Sequence, residues 1–180
     1  KIIFHKPPKS NIVLIHESHQ DLIKKYIIND HSFYTYNTEP ERIYLCFSVL
    51  IIFVRSLATI DWKKLIYKRK VSDLFSTMLK YYRLAIIEYI NPKILITYID
   101  GSSIVSWLCK NYKKAEFFAI QNGNRTNYEL ELLSSDDYYI KHYFCFGNHD
   151  VERFREKNLK VDNFYPIGSI KGGILLSSRG

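Results

Sequence analysis

The chain has 180 residues, of which 47% are hydrophobic and 16% aromatic, enough apolar side chain to pack one core and to exclude a disordered protein. Lys and Arg number 26 against 18 Asp and Glu, a formal charge of +8. That balance invites an anionic surface or a phosphorylated substrate, although lysines scattered along a chain form a solvated face equally well. Cys46, Cys109 and Cys145 are odd in number and lie in apolar runs, which argues against a disulfide framework or a zinc site and fits a reducing cytoplasm.

In chain order, "KIIFHKPPKS" places a Pro pair where a cleavable leader needs an apolar run. "NIVLIHE" (11–17) is a short unbroken apolar run of the kind found inside a parallel sheet, and "DLIKKYII" reads as a helix. "SFYTYN" is the next strand. "PERIYLCFSVLIIFVRSLA" is expected as one long helix opened by Pro40. Its stretch 43–54, bracketed by Arg42 and Arg55, falls short of the roughly 20 residues of a spanning helix and reads as a buried core helix.

Residues 71–90 carry Val71, Leu74, Phe75, Met78, Leu79, Tyr82, Ile86 and Tyr89 at three- and four-residue intervals, an apolar helical stripe that Asn91 and Pro92 end. "KILITYID" then reads as a strand, "SSIVSWLCKNY" as a helix with a Ser cap, and "EFFAI" as a strand. "TNYELELLSSDDYYIK" is polar at its centre and is expected to be irregular. "HYFCF", "DVERFREKN" and "NFYPIGS" complete the series as strand, helix and extended segment. Alternation of this kind needs crossover connections, hence a Rossmann-like α/β domain with a mainly parallel sheet and helices on both faces. The chain opens on Lys1 and closes on "GGILLSSRG" without a terminating element, and reads as one domain of a longer protein.

In such sheets ligands sit beyond the carboxyl ends of the strands. The residues there are His16 and Glu17, Asp100 and Gly101, Gln121 to Arg125, Gly147 to Asp150, and Gly168 with Ser169. Asp100 suits a general base or a hydroxyl acceptor, and equally a turn or helix cap. Gln121 and Asn122 offer amides to hydroxyl groups; Gly123 suits a positive φ, a close ligand approach or a plain Asn-Gly turn. Arg125 suits a bidentate clamp on a carboxylate or phosphate. His149 and Asp150 are adjacent, a poor geometry for a catalytic pair, and Asp150 is placed to cap a helix. No G-x-G-x-x-G, P-loop or G-x-S-x-G motif is present, no histidine spacing suggests a metal, and no nucleic-acid module is recognisable.

Three ordered segments, "ILITYIDGSSIVSWLCKNY", "EFFAIQNGNRT" and "HYFCFGNHDVERFREKN" running into "VDNFYPIGSIKGG", resemble the surface carbohydrate biosynthesis proteins of bacteria. Those proteins are similar to glycosyltransferases built from two Rossmann-like domains (GT-B). The resemblance covers about 90 residues from position 93 onward. It implies that the chain is the amino-terminal, acceptor-side half of such a transferase, cytoplasmic or at the inner membrane face. The nucleotide-sugar donor would be held by a carboxy-terminal domain absent from this sequence, so the piece alone is expected to be inactive. Gln121, Asn122, Gly123 and Arg125 match a Q-N-G-x-R-like signature, Asp100 a strand-end Asp, Gly147 an F-G turn, and Pro166, Gly168 and Ser169 a P-x-G-S segment. Asp100 or Glu17 would deprotonate the acceptor hydroxyl, with neither metal nor cofactor implied. A noncatalytic sugar- or nucleotide-binding module is the other reading of the same residues, and peripheral membrane attachment through a basic face is a third.

Overall fold

The computed structural model describes residues 2–15, 23, 32–36, 43–60, 62, 71–135 and 138–177. In chain order these form β1 (Ile2–Ile3), β2 (Ile12–Ile15), β3 (Tyr34–Tyr36), β4 (Ile43–Tyr44), α1 (Phe47–Leu57), α2 (Val71–Ile90), β5 (Ile94–Thr97) and α3 (Ser103–Asn111). They continue with β6 (Glu116–Ile120), α4 (Asn127–Ser135), β7 (Tyr139–Cys145), α5 (Asn148–Glu156), β8 (Lys160–Pro166) and α6 (Ile170–Ser177).

Six strands make one all-parallel sheet in the order β3-β2-β5-β6-β7-β8, with Ile12 opposite Ile94, Ile94 opposite Glu116, Phe118 opposite His142 and Tyr143 opposite Phe164. β1 and β4 pair separately as a short parallel ribbon. Parallel strands buried on both faces need apolar residues at successive positions, which is why IVLI and ILIT form β2 and β5. Val13, Ile15, Leu95, Phe117 and Ala119 face one core; Leu14, Ile96, Phe118 and Ile120 face the other. This is a Rossmann-like α/β fold.

The chain moves outward from β2 to β3, then reverses to β5 and beyond. Because crossovers are right-handed, that reversal puts the first connection on the opposite face from the later ones. The packing follows: helical Ile23 and Ile170 of α6 lie with Leu14 and Ile96, whereas buried residues of α2 to α5 (Ile87, Leu108, Leu130, Phe154) share the other core. The switch point lies between the carboxyl ends of β2 and β5.

Several expectations are corrected. The long helix expected from Pro40 starts only at Phe47, because Ile43 and Tyr44 pair with β1. It is not a buried core helix: Val49 is fully buried, but Phe47 and Val54 are 79% and 63% exposed. In α2 the buried face is Leu84, Ala85, Ile86, Ile87 and Ile90, displaced toward the carboxyl half, and Phe75 lies in solvent. The end of α2 is as expected: Asn91 takes the left-handed conformation (φ 57°) and donates to the Ile87 carbonyl at 2.8 Å before Pro92. The segment from Thr126, expected to be irregular, is helix α4, and α6 was not foreseen. The helix expected over 21–28 lies outside the described residues apart from Ile23.

Leu108 sits fully buried on α3 between helix and sheet. Leu108→Ala should lower unfolding free energy by about 2–5 kcal/mol in a denaturant titration, whereas Phe47→Ala should shift it by no more than about 0.5 kcal/mol.

Candidate functional site

The turns after β5, β6, β7 and β8 carry Asp100, the 121–125 loop, Gly147 and Gly168 to one edge of the sheet, since all four strands run parallel. The arrangement centres on Asp100, which is 1% exposed. Arg125 grips its carboxylate with two donors, Nη2 to Oδ1 and Nε to Oδ2, the latter at 3.1 Å. Tyr143 of β7 also donates to Oδ2, and Tyr138 donates to the Asp100 carbonyl at 2.7 Å. Three strand ends are thereby tied through one side chain.

The electrostatics agree with the geometry. Burial works against the Arg125 charge, but the Asp100 carboxylate more than offsets it and leaves the guanidinium above its ordinary value. Burial, and then the negative charge of Asp100, push the Tyr143 and Tyr138 phenols well above theirs, so both act as neutral donors. As arranged, the Asp100 carboxylate accepts from Arg125 and Tyr143; taking a proton from a substrate would require those donors to withdraw. Its side chain does not cap α3, whose N-cap residue Ser102 likewise makes no side-chain cap bond.

The 121–125 loop is shaped by its own amides. Gln121 is buried; its Nε2 donates to the Gly123 carbonyl at 3.1 Å, and its Oε1 accepts the Phe146 N–H at 3.0 Å, joining the turns after β6 and β7. Asn122 is half-buried and accepts from Arg125 Nη2 at 3.3 Å. Of the alternatives open for Gly123, the positive φ is not the one it takes; Gly168 has a φ of 90°. A Cβ built on Gly123 meets nothing within 4 Å, so open space adjoins that backbone. Thr126 and Glu129 then form a reciprocal capping box, Glu129 Oε2 accepting the Thr126 N–H at 2.7 Å and Thr126 Oγ1 the Glu129 N–H at 3.2 Å.

Gly147 is the extended N-cap of α5, which places Asp150 inside the first turn, 3.8 Å from Arg153, and leaves His149 exposed. Asp150 is therefore not the cap expected of it. Ser169 caps α6, its Oγ accepting the Gly172 N–H at 3.2 Å. Glu17 and His16 lie outside the described residues. Among the described residues no group of His, Cys, Asp and Glu could hold a metal ion, and every buried side-chain polar atom has a partner.

Tyr138, Tyr143 and Arg153 were missed in the sequence. Tyr143 looked like one more apolar residue of a strand, and its hydroxyl partner lies 43 positions away. Arg153 donates to the Arg125 carbonyl at 2.6 Å and to Asn127 at 3.0 Å, fastening α5 to the same loop; only its place on a helix facing the loop could have signalled this.

Comparison of the chain with protein-family models, curated proteins and solved structures returns no match.

Breaking a buried ion pair strands the surviving charge. Arg125→Ala should therefore cost about 3 kcal/mol of stability and Tyr143→Phe about 1–2 kcal/mol. The double replacement of Asp100 and Arg125 by Ala should cost less than the sum of the singles in a thermodynamic cycle. Glu129 is held below the usual carboxylate range, first by the Thr126 backbone N–H and then by its hydroxyl. Its support of α4 should be complete at neutral pH and fade as pH falls through that lowered value, which an NMR titration of the Glu129 carboxyl and the α4 amides would follow.

Proposed function

We propose that the chain is the acceptor-side domain of a glycosyltransferase acting in bacterial cell-surface carbohydrate synthesis. The observation that carries this reading is the meeting of Asp100, Asn122, Arg125, Gly147, Gly168 and Ser169 along the carboxyl edge of one parallel sheet, where such folds receive ligands. Asn122 and the open backbone beside Gly123 offer donors and acceptors at short range, the chemistry a polyhydroxylated acceptor requires. Asp100 and Arg125 set the shape of that loop, and Glu17, which follows β2 by two positions in the sequence, is left as the acceptor-activating carboxylate. The order of "DGSS", "QNGNR", "FGNHD" and "PIGS" supports the family assignment. The nucleotide-sugar donor belongs to the second domain that this architecture requires.

One observation favours a second reading, a noncatalytic sugar- or nucleotide-binding module: Asp100, the more deeply buried of the two described rim carboxylates Asp100 and Asp150, is already committed to Arg125 and Tyr143. The two readings differ at Glu17. A transferase joined to its donor-binding half should lose at least about a hundredfold in turnover on Glu17→Gln, whereas a binding module should show no transfer and unchanged saccharide affinity.

Titrating the 180-residue chain with neutral oligosaccharides should perturb the amide resonances of Asn122, Gly123, Gly147 and Ser169. Asn122→Ala should weaken that binding several-fold without changing the melting temperature. Saccharides that leave all four resonances in place would overturn the transferase reading and the sugar-binding form of the second.

A further inference from the structure

Helix α1 is apolar on two sides. Val49 is fully buried, Ile52 and Phe53 pack on the core, and Phe53 meets Tyr82 of α2 edge to face at 5.7 Å between ring centroids. The side turned away carries Phe47, Leu50, Ile51 and Val54, spaced i, i+3, i+4 and i+7 on one stripe, at 79%, 37%, 37% and 63% exposure. The β1–β4 ribbon extends this surface. Ile3 pairs with Tyr44, and the residues that follow them, Phe4 and Leu45, are both exposed, Leu45 two positions before Phe47.

The two segments that carry the stripe bring only cations; on the side toward α2, Glu88 lines a concavity with Arg55. Residues 4–15 and 43–60 contain no Asp or Glu, but do contain Lys6, Arg55 and Lys9, the last turned to the end of α2, where it donates to the Tyr89 carbonyl. Lys6 and Arg55 are exposed, Arg55 directly beside Val54. After Ile60 the sequence runs into "DWKKLIYKRK", five basic residues against one acid. An apolar helical stripe flanked by cations matches an anionic lipid surface, whose headgroups attract the charges while its acyl boundary receives the apolar side chains. Eleven residues of helix reach only about 16 Å, roughly half of a bilayer's hydrocarbon thickness, and no helix among the described residues is long and apolar enough to cross a membrane. The helix would therefore lie in the plane of the surface.

We propose that the outward stripe of α1, with Phe4 and Leu45, docks the protein on anionic lipid. Lipid docking through α1 requires nothing of the strand-end rim, so it stands or falls separately from the transferase reading.

Cosedimentation with phosphatidylcholine vesicles, with and without phosphatidylglycerol, tests it. The chain should pellet with the anionic vesicles, and pellet less as salt rises. Phe47→Ser/Val54→Ser, which alters only exposed side chains and should keep the wild-type melting curve, should weaken vesicle binding by roughly tenfold or more. Failure of the wild type to pellet with anionic vesicles at low salt would overturn the proposal, as would undiminished pelleting of the folded double variant. Light scattering that shows a wild-type dimer split by the same substitutions, with no vesicle binding, would assign the stripe to a second copy and overturn it as well.

Discussion

The carboxylate of Asp100 is the constraint on which the rim of this sheet depends. A charge buried to this extent is tolerated only when donors surround it, and here those donors come from elsewhere in the chain: Arg125 from the turn after β6, Tyr143 from β7. Each parallel strand delivers its end to the same edge independently, so nothing in strand pairing alone fixes the turns relative to one another. The ion pair does so. Arg153 carries the link on to α5 through the Arg125 carbonyl, and Gln121 joins the turn after β6 to Phe146. The turns after β5, β6 and β7 thus behave as one hydrogen-bonded unit, in which moving any of the three would expose an unsatisfied group.

Chain direction sets how the faces are covered. The reversal at β2 sends a single crossover to one face and the longer series α2 to α5 to the other. At the β6–β8 end the face opposite α2 to α5 carries Phe118, His142, Phe144 and Tyr165. These rings stack against one another, with Phe118 and His142 4.8 Å apart at 18° and Phe144 and Tyr165 4.9 Å apart at 29°. Rings packed face to face satisfy their own apolar surfaces and turn edges outward. His142 is further held by Glu116 at 2.9 Å and Tyr165 at 3.1 Å. Those contacts hold the four side chains to one another across β6, β7 and β8.

Elements stabilised by local pattern were legible in the sequence. EFFAI forms β6, residues 71–90 form α2, and the apolar runs of β2 and β5 lie where they were expected, because burial on both faces leaves a short run no other use. α4 escaped notice because its sequence, NYELELLSS, has a weak apolar stripe; the Thr126–Glu129 capping box, three residues apart and visible in "TNYE", was the overlooked start signal. The candidate site was legible in part. Strand-end logic placed Asp100 and Arg125 at one edge, but pairing between residues 25 apart follows from three-dimensional register, which no local pattern encodes. The hydroxyls of Tyr138 and Tyr143 were hidden for the same reason.

Helix α1 shows where local pattern is ambiguous in principle. A run such as FSVLIIFV suits a helix enclosed by a core and a helix lying between a core and a lipid surface, because both require apolar residues on all sides. Position decides between them. Tyr44 is committed to β1 in a ribbon separate from the main sheet, so α1 begins at the periphery, where α2 covers one of its sides. Phe47 and Val54 forgo the larger part of the about 1.5–3 kcal/mol that full burial of such a side chain supplies, and Leu50 and Ile51, each 37% exposed, about a third of it. Four such residues in helical register, on segments that carry cations and no acid of their own, concentrate that unrealised burial on a single surface, which is why the proposed lipid contact is placed at α1 rather than at the hydrogen-bonded rim.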